Sequence, residues 1–268
     1  MTPDIPDKPD GSRLGDPPTA EPILRTVGLG KDFAGFTAVE RVDLAVRPGD
    51  VHVLVGPNGA GKTTLFNLLT GFHQPSRGRV LLAGADITGA APERIARLGV
   101  ARSFQITRLF DTMTLRSHLE LALAGPAGLG FRFLRSDRVL RRFRTRSDEL
   151  LDAVGLADRA EDTAGALPYG QKRALELALA LALDPQVLLL DEPTAGMGVE
   201  DVERTVELIK TVKKGRTVVM VEHNMSVVAD LADRVSVLQA GAILVEGSYA
   251  EVRQDPRVVA AYLGSHVA

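Results

Sequence analysis

The chain of 268 residues contains no cysteine. Disulfides, thiolate metal sites and cysteine nucleophiles are therefore excluded, and the composition is compatible with a reducing cytosol. Long hydrophobic runs are also missing, since no apolar stretch approaches the roughly 18–20 residues that a membrane span requires. The first residues lack the apolar core of a signal peptide. We expect a protein that is soluble by itself and that reaches any membrane only through a partner.

Neither sign of charge dominates, since 32 Lys and Arg oppose 34 Asp and Glu for a net charge of -2. This balance gives no global reason to expect nucleic acid as a partner. Residues 1–22 are rich in proline and acidic side chains and poor in large apolar ones. We predict a disordered acidic tail there, because such a segment buries too little surface to offset its ordering entropy.

The most informative stretch is GPNGAGKTT, which directly follows the apolar run 51–55. It fits the phosphate-loop pattern G-x-x-x-x-G-K-[ST], and the strand, loop and helix that this pattern needs are all predicted. Glycines let the backbone wrap closely around an anion, and the amides of the loop and of the helix start can bind phosphate. The alternative, a glycine-rich turn that fits by chance, is disfavoured by the flanking strand and helix. The candidate nucleotide-binding residues are Gly56, Pro57, Asn58, Gly59, Ala60, Gly61, Lys62, Thr63 and Thr64.

Within this loop, Lys62 is expected to reach the β- and γ-phosphates, and the Thr63 hydroxyl to hold Mg²⁺. A second element of the same chemistry follows the wholly apolar run Val187–Leu190, which is typical of a central parallel strand. It ends in Asp191 and Glu192, and carboxylates at such a strand end are costly unless they meet a metal or a polar site. We interpret Asp191 as a Mg²⁺ ligand and Glu192 as the residue that orients or deprotonates an attacking water.

Three positions leave alternatives open. His223 follows another buried run and could contact the γ-phosphate, although a lone histidine is more often structural. Phe33, in the predicted loop between the first two strands, could stack on adenine or belong to the core. Gln105 follows the predicted strand 99–104 and could coordinate a metal or hold a water, or could simply cap the strand.

The segment Phe131–Arg146 carries seven arginines with apolar residues between them. A basic amphipathic helix of this kind can lie against anionic lipid headgroups. It can also be a solvated helical face whose apolar side packs on the domain, which is the interpretation we favour.

In this order and spacing the motifs resemble those of the ATP-binding subunit of an ABC transporter, over about residues 23–264. GPNGAGKTT is similar to the phosphate loop, VLLLDE to the Walker B strand with its catalytic glutamate, and LPYGQ to the ABC signature. Gln105 matches the Q-loop glutamine, His223 the switch histidine and Phe33 the adenine-stacking aromatic. The signature residues assigned to nucleotide binding by this resemblance are Tyr169, Gly170 and Gln171.

The resemblance implies an α/β fold, namely a P-loop NTPase core with a mixed central sheet and an N-terminal antiparallel β subdomain. It also implies a helical subdomain at about 106–183 that carries the signature. It implies ATP and Mg²⁺ as cofactors, with Glu192, His223 and Gln105 as catalytic residues. The metal ligands that it implies are Thr63, Gln105 and Asp191.

Two departures from the family pattern concern contacts to a second subunit. The usual serine of the signature is replaced by Pro168, so Tyr169, Gly170 and the amides of the following helix would have to bind the γ-phosphate. The serine and aspartate that usually follow the catalytic glutamate are replaced by Ala195 and Gly198. Neither departure removes the phosphate loop, the metal ligand or the base.

The signature form LxYGQ, the sequence DEPTAGM and the ending DPRVVAAYLG further resemble subunits of branched-chain and hydrophobic amino-acid uptake systems. We therefore expect an ATP-hydrolysing motor on the cytoplasmic face of the membrane, peripheral to its permease subunits. Its expected partners are a second ATP-binding subunit, the permease and, indirectly, a solute-binding protein, with no nucleic acid. The alternatives are urea import, lipid or lipopolysaccharide export, and roles in DNA maintenance or translation.

Overall fold

The computed structural model describes residues 21–103, 109–125 and 143–263. Gln105, residues 1–20 of the acidic tail and nearly all of the predicted basic helix lie outside these ranges. The strands are β1 (Leu24–Phe33), β2 (Phe36–Val42), β3 (Ala45–Val46), β4 (Val51–Val55), β5 (Arg77–Leu82), β6 (Ala85–Asp86), β7 (Val100–Ser103), β8 (Val187–Asp191), β9 (Thr217–Val221), β10 (Arg234–Gln239) and β11 (Ala242–Gly247).

The helices follow the same chain order. They are α1 (Lys62–Leu69), α2 (Pro92–Arg97), α3 (Leu115–Ala124), α4 (Arg144–Ala153), α5 (Tyr169–Leu181), α6 (Val199–Val212), α7 (Met225–Leu231), α8 (Tyr249–Val252) and α9 (Pro256–Leu263), with 3₁₀ turns at Ala157–Arg159 and Ala164–Ala166. None of these helices, within the described part of the chain, has the length and apolar character needed to cross a bilayer.

The N-terminal sheet is antiparallel, with the order β2-β1-β5-β6 and with β3 paired to β1. Residues 43–44 separate β2 from β3, and the Asp43 carboxylate there accepts a hydrogen bond from the Gly28 N–H at 2.6 Å. Phe33 was predicted in a loop, and this was wrong. It is the last residue of β1 and pairs with Phe36 across a two-residue turn in which Ala34 and Gly35 both have positive φ, a geometry that closes a tight hairpin.

The central sheet has the order β11-β10-β4-β9-β8-β7. All neighbouring strands are parallel except β10 and β11, so the predicted mixed sheet is observed. Every residue of β4, β8 and β9 is buried, because helices and the N-terminal sheet cover the two faces. The apolar runs in the sequence are therefore strands whose side chains pack into a core on each side.

Helices α3, α4 and α5 pack together through buried leucines. Thr114 accepts a hydrogen bond from the Ser117 N–H and so caps α3. The signature LPYGQ runs into α5, which begins at Tyr169, because Pro168 takes the N-cap position and its carbonyl accepts the Lys172 N–H at 3.0 Å. The first turn of the helix therefore includes most of the signature.

The strand order determines which loops meet. In a parallel sheet the carboxyl ends of the strands lie at one edge, where such folds bind ligands. Here β9 lies between β4 and β8, so the phosphate loop after β4, the carboxylates at the end of β8 and the segment after β9 share that edge.

Candidate nucleotide site

The phosphate loop depends on glycine at the start of α1. Gly61 is the N-cap of α1 with φ of 97°, and a Cβ there would lie 2.4 Å from the carbonyl oxygen of Ala38 in β2. No side chain caps this helix and its first turn carries no acidic residue. The first amides of α1 are thus left for an anion, as phosphate binding at a helix N-terminus requires.

Gly61→Ala is expected to abolish most ATP binding, since it combines a left-handed backbone with a collision against Ala38. Gly84 provides a matched control, because its φ is 79° but a Cβ there would meet no atom within 4 Å. Gly84→Ala should lose only about 1 kcal/mol of stability. Calorimetric ATP binding and thermal melting distinguish the two, and equal ATP affinity in both variants would contradict this interpretation of the loop.

Lys62 lies folded over its own loop. Its ammonium donates hydrogen bonds to the carbonyl oxygens of Gly56 at 2.6 Å and Pro57 at 3.0 Å. Burial lowers the pKa of Lys62, and the nearby charges of Glu192 and Asp191 oppose that shift. The structure therefore brings the predicted phosphate-binding cation and both predicted carboxylates into one electrostatic environment.

Asp191 is buried at the end of β8 and is held by an arginine. The Arg102 guanidinium on β7 donates to Asp191 Oδ2 at 2.6 Å and to Asn67 Oδ1 of α1 at 2.6 Å. Arg102 was not identified from the sequence. The sequence showed only a charged residue inside a predicted strand. Its role became clear from the pairing of β7 with β8, which brings Arg102 next to Asp191. Arg102 fixes the orientation of one Asp191 oxygen.

Glu192 and His223 meet directly. His223 Nε2 lies 2.5 Å from Glu192 Oε1. Glu192 has φ of 49°, an unusual conformation for a side chain other than glycine, and its N–H donates to the Val221 carbonyl of β9 at 3.0 Å. A backbone outlier of this kind at a strand end is a common feature of functional sites.

A further buried carboxylate lies beside this pair. Glu222 is 2% exposed, and it accepts hydrogen bonds from the Thr194 hydroxyl and from the backbone N–H groups of Thr194, His223 and Asn224. Glu222 was not identified as a functional residue from the sequence. Its position directly before His223 was visible, but its partner 28 residues away was not.

The chemistry of the donors suits a magnesium ion. Thr63 offers a hydroxyl and Asp191 a carboxylate, and hard oxygen ligands of this type are those that Mg²⁺ prefers. No group of three or more His, Cys, Asp or Glu side chains that could hold a metal occurs within residues 21–103, 109–125 and 143–263. This is compatible with an ion held by few protein ligands together with phosphate oxygens and water.

Phe33 presents a partly exposed ring. Its centroid lies 5.3 Å from that of His73 in an edge-to-face arrangement, and Lys31 Nζ lies 4.9 Å from the ring centre. The ring is 39% exposed, so the core interpretation of Phe33 is not supported. Phe33 lies at the end of β1, which pairs with β2, and Ala38 of β2 lies against Gly61. The Phe33 hairpin and the phosphate loop are therefore on the same side of the molecule.

The signature residues have contacts of their own. A Cβ on Gly170 would lie 3.0 Å from Asp201 Cγ of α6, and Gln171 Oε1 accepts a hydrogen bond from Arg159. The Tyr169 ring lies under Arg173, whose Nε donates to the Tyr169 hydroxyl at 3.1 Å. These contacts place the signature among α5, α6 and the 3₁₀ turn, and not among the residues of the phosphate loop.

The similarity of this chain to known proteins agrees with the fold. The ABC transporter family matches residues 39–195, so the chain belongs to the ATP-binding cassettes of ABC transporters and has their ATPase fold. A second family, described as branched-chain amino acid ATP-binding cassette transporter, matches residues 242–268.

Two curated relatives illustrate the similarity. The chain is 37% identical to the high-affinity branched-chain amino acid transport ATP-binding protein LivG of Escherichia coli, over 91% of this chain and 99% of LivG. It is 38% identical to BraF of Pseudomonas aeruginosa, which carries the same description, with the same two coverages.

Solved structures show the same cassette. A nucleotide-free ATP-binding cassette from an ABC transporter superposes with a TM-score of 0.80 at 30% identity, covering 90% of this chain and 98% of that one. An ATP-binding cassette in its ADP conformation also has a TM-score of 0.80, at 31% identity, covering 92% of this chain and all of the other. The predicted fold class and family are therefore confirmed.

Proposed function

We propose that this chain is the ATP-hydrolysing motor subunit of an ABC importer for branched-chain or other hydrophobic amino acids. The proposal rests on one observation, which is that the same edge of the central sheet carries Lys62, Asp191, Glu192 and His223. The similarity to LivG and BraF along nearly the whole chain supports the substrate class, as does the family match at residues 242–268.

The phosphate oxygens of bound ATP would replace the loop carbonyl oxygens as the hydrogen-bond acceptors of Lys62. Lys62, which now donates to two carbonyls of the loop, would turn to the β- and γ-phosphate oxygens, while the first amides of α1 bind the β-phosphate. Thr63 and Asp191 would hold Mg²⁺, with Gln105 as a further proposed ligand. The ion would supply neutralisation of the charge that develops on the γ-phosphoryl group.

Glu192 is the proposed general base. Its carboxylate lies against His223 Nε2, so each residue can orient the other at the end of the sheet. In the reaction Glu192 would accept a proton from the attacking water, while His223 would contact the γ-phosphate and stabilise its developing charge.

The signature residues are proposed to serve a second chain. Among the residues that the structure describes, the phosphate loop of the same chain is not in contact with the signature residues, because Tyr169, Gly170 and Gln171 lie against α5, α6 and the 3₁₀ turn Ala157–Arg159. We therefore propose that they bind the γ-phosphate of an ATP held by a partner subunit. The first-turn amides of α5 replace the usual serine, because Pro168 at the N-cap has no side-chain donor or acceptor. The partner is a second copy or a related ATP-binding subunit.

ATP-driven association of the two subunits would move permease subunits in the membrane, with a solute-binding protein delivering the substrate. The chain would thus act peripherally, at the cytoplasmic face. We interpret residues 23–264 as one ATP-binding domain and about 106–183 as its helical subdomain, an interpretation supported by the mutual packing of α3, α4 and α5.

Phe33→Ala tests the proposed contact with adenine. Loss of one aromatic stacking partner is expected to weaken ATP binding by about 1 kcal/mol, which is roughly fivefold in Kd. Phe36→Ala is the matched control, because Phe36 pairs with Phe33 on the same hairpin and is 65% exposed. Equal Kd values for the two variants would remove Phe33 from the site.

Uptake measurements test the substrate. In a strain lacking this gene and other branched-chain uptake systems, the wild-type chain with its companion subunits should restore uptake of radiolabelled leucine, isoleucine and valine. Glu192→Gln in place of the wild-type chain should not. Restoration of urea uptake alone would contradict the amino-acid assignment while retaining the motor function.

A further inference from the structure

Glu222 forms a buried junction between two loops of the site. Its Oε1 accepts the Thr194 N–H at 3.2 Å and the Thr194 hydroxyl. Its Oε2 accepts the His223 N–H at 2.8 Å and the Asn224 N–H at 3.1 Å. Both oxygens therefore act only as acceptors, which is the hydrogen-bonding pattern of a deprotonated carboxyl group.

The four donor groups come from two loops at the same edge of the sheet. Thr194 belongs to the loop after β8, two residues beyond Glu192, and His223 and Asn224 follow β9. The backbone N–H of Glu222 also donates to the Leu54 carbonyl of β4 at 3.3 Å. One residue thus connects the strand before the phosphate loop, the loop of the proposed base and the loop of the switch histidine.

We propose that Glu222 is a positioning residue for ATP hydrolysis, and that Thr194 is the partner through which it acts. Its carboxylate fixes the loop of Glu192 relative to the backbone of His223, and so maintains the 2.5 Å contact between Glu192 Oε1 and His223 Nε2. This role rests on the proposed ATPase mechanism, since it has meaning only if these two side chains act on the γ-phosphate.

The positioning role of Glu222 depends on the strength and directionality of charge-assisted hydrogen bonds in a buried environment. Such bonds are roughly twice as strong as neutral ones, and a fully satisfied buried network is rigid. Asn224 adds to this rigidity, because its side chain accepts from the N–H groups of Ser226 and Val227 and caps α7. A displacement of about 1 Å between catalytic groups can cost on the order of 10²-fold in rate.

Thr194→Val removes the hydroxyl donor with little change in volume. We expect kcat for ATP hydrolysis to fall at least about tenfold, with the Kd for ATP unchanged because the phosphate loop is not touched. Thr194→Ser keeps the hydroxyl and should restore most of kcat. Glu222→Gln provides a second variant, since its amide nitrogen must face one of the two pairs of donors, and it should show the same selective loss of kcat.

Thr217→Val is the matched control for a purely structural effect. Thr217 is buried at the other end of β9, where its hydroxyl accepts the Gly49 N–H at 2.9 Å. This variant removes the same chemical group, a buried threonine hydroxyl, at the end of β9 opposite the site. It should lower the melting temperature and leave kcat near the wild-type value.

A double-mutant cycle with His223→Ala completes the test, using single-turnover hydrolysis by the full chain. If Thr194 and Glu222 act by positioning His223, Thr194→Val should cause little further loss in the His223→Ala background. The proposed role of Glu222 would be overturned if Thr194→Val caused the same fold-loss in both backgrounds, or if its kcat were no lower than that of Thr217→Val. Either result would leave the proposed ATPase function unaffected. A wild-type chain that binds ATP without hydrolysing it would instead overturn the proposed function on which this role rests.

Discussion

Glu192→Gln is expected to bind ATP with nearly wild-type affinity and to lose almost all turnover. The amide keeps the shape of the side chain and can still meet His223 Nε2, which lies 2.5 Å from Glu192 Oε1, but it cannot accept a proton from water. Loss of a general base typically costs about 10²–10⁴-fold in rate. The turnover rate is measured as steady-state phosphate release, and the ATP affinity is measured by calorimetry.

Glu200→Gln is the control for this prediction. It makes the same chemical change on the exposed first turn of α6, where the Glu200 side chain is 87% exposed and lies 3.7 Å from Arg204. Its turnover should match the wild type. A Glu192→Gln protein with turnover near the wild-type rate would rule out Glu192 as the base and leave the phosphate loop unaffected.

Lys62→Ala is expected to abolish ATP binding in the usual concentration range. The ammonium is buried and donates to two loop carbonyls, so its removal deletes the cation placed to meet the phosphates and leaves those carbonyls without their donor. Hydrogen bonds to charged groups contribute about 1.5–3 kcal/mol each. Loss of even one such bond weakens binding roughly tenfold or more, and Lys62 is expected to make several.

Lys210→Ala is the matched control, because Lys210 is a surface lysine of α6 that pairs with Glu207 and Asp230. It removes the same charge from the protein without touching the loop. Unchanged ATP affinity in Lys62→Ala, measured by calorimetry beside this control, would contradict the site itself. A loss in both variants would point to a nonspecific effect of net charge.

The parts of the site that lie within one local motif could be predicted from the sequence. The phosphate loop combines a fixed glycine spacing with a strand and a helix, and its chemistry follows from the backbone. Asp191 and Glu192 were predicted for a similar reason, since a wholly apolar run that ends in two carboxylates has few other interpretations. The burial of β8 and the position of Asp191 at its end agree with that reasoning.

The parts that depend on strand order could not be predicted in this way. Arg102 is one charged residue in a short strand, and only the pairing of β7 with β8 brings it to Asp191. Thr194 and Glu222 are 28 residues apart and meet because β9 lies beside β8. Phe33 was misplaced because a tight turn at Ala34 and Gly35 extends the hairpin through a residue that was read as loop.

Helix boundaries show the same limit on a smaller scale. The start of α5 at Tyr169, two residues before Gln171, could not be read from the LPYGQ motif alone, because it depends on Pro168 taking the N-cap position. The difference matters for function, since it places Tyr169 and Gly170 in the first turn of the helix. Their amides are then oriented along the helix axis, toward the position proposed for a partner's γ-phosphate.

The most direct test of the central claim is a pull-down of the tagged full-length Glu192→Gln protein from its native cells, in mild detergent with ATP. Mass spectrometry of the captured proteins is the measurement, and the same pull-down with Lys62→Ala is the control. We predict polytopic permease subunits and an ATP-binding partner with Glu192→Gln. Ribosomes or DNA-bound complexes without a membrane protein would contradict the transporter function and leave the ATPase chemistry standing.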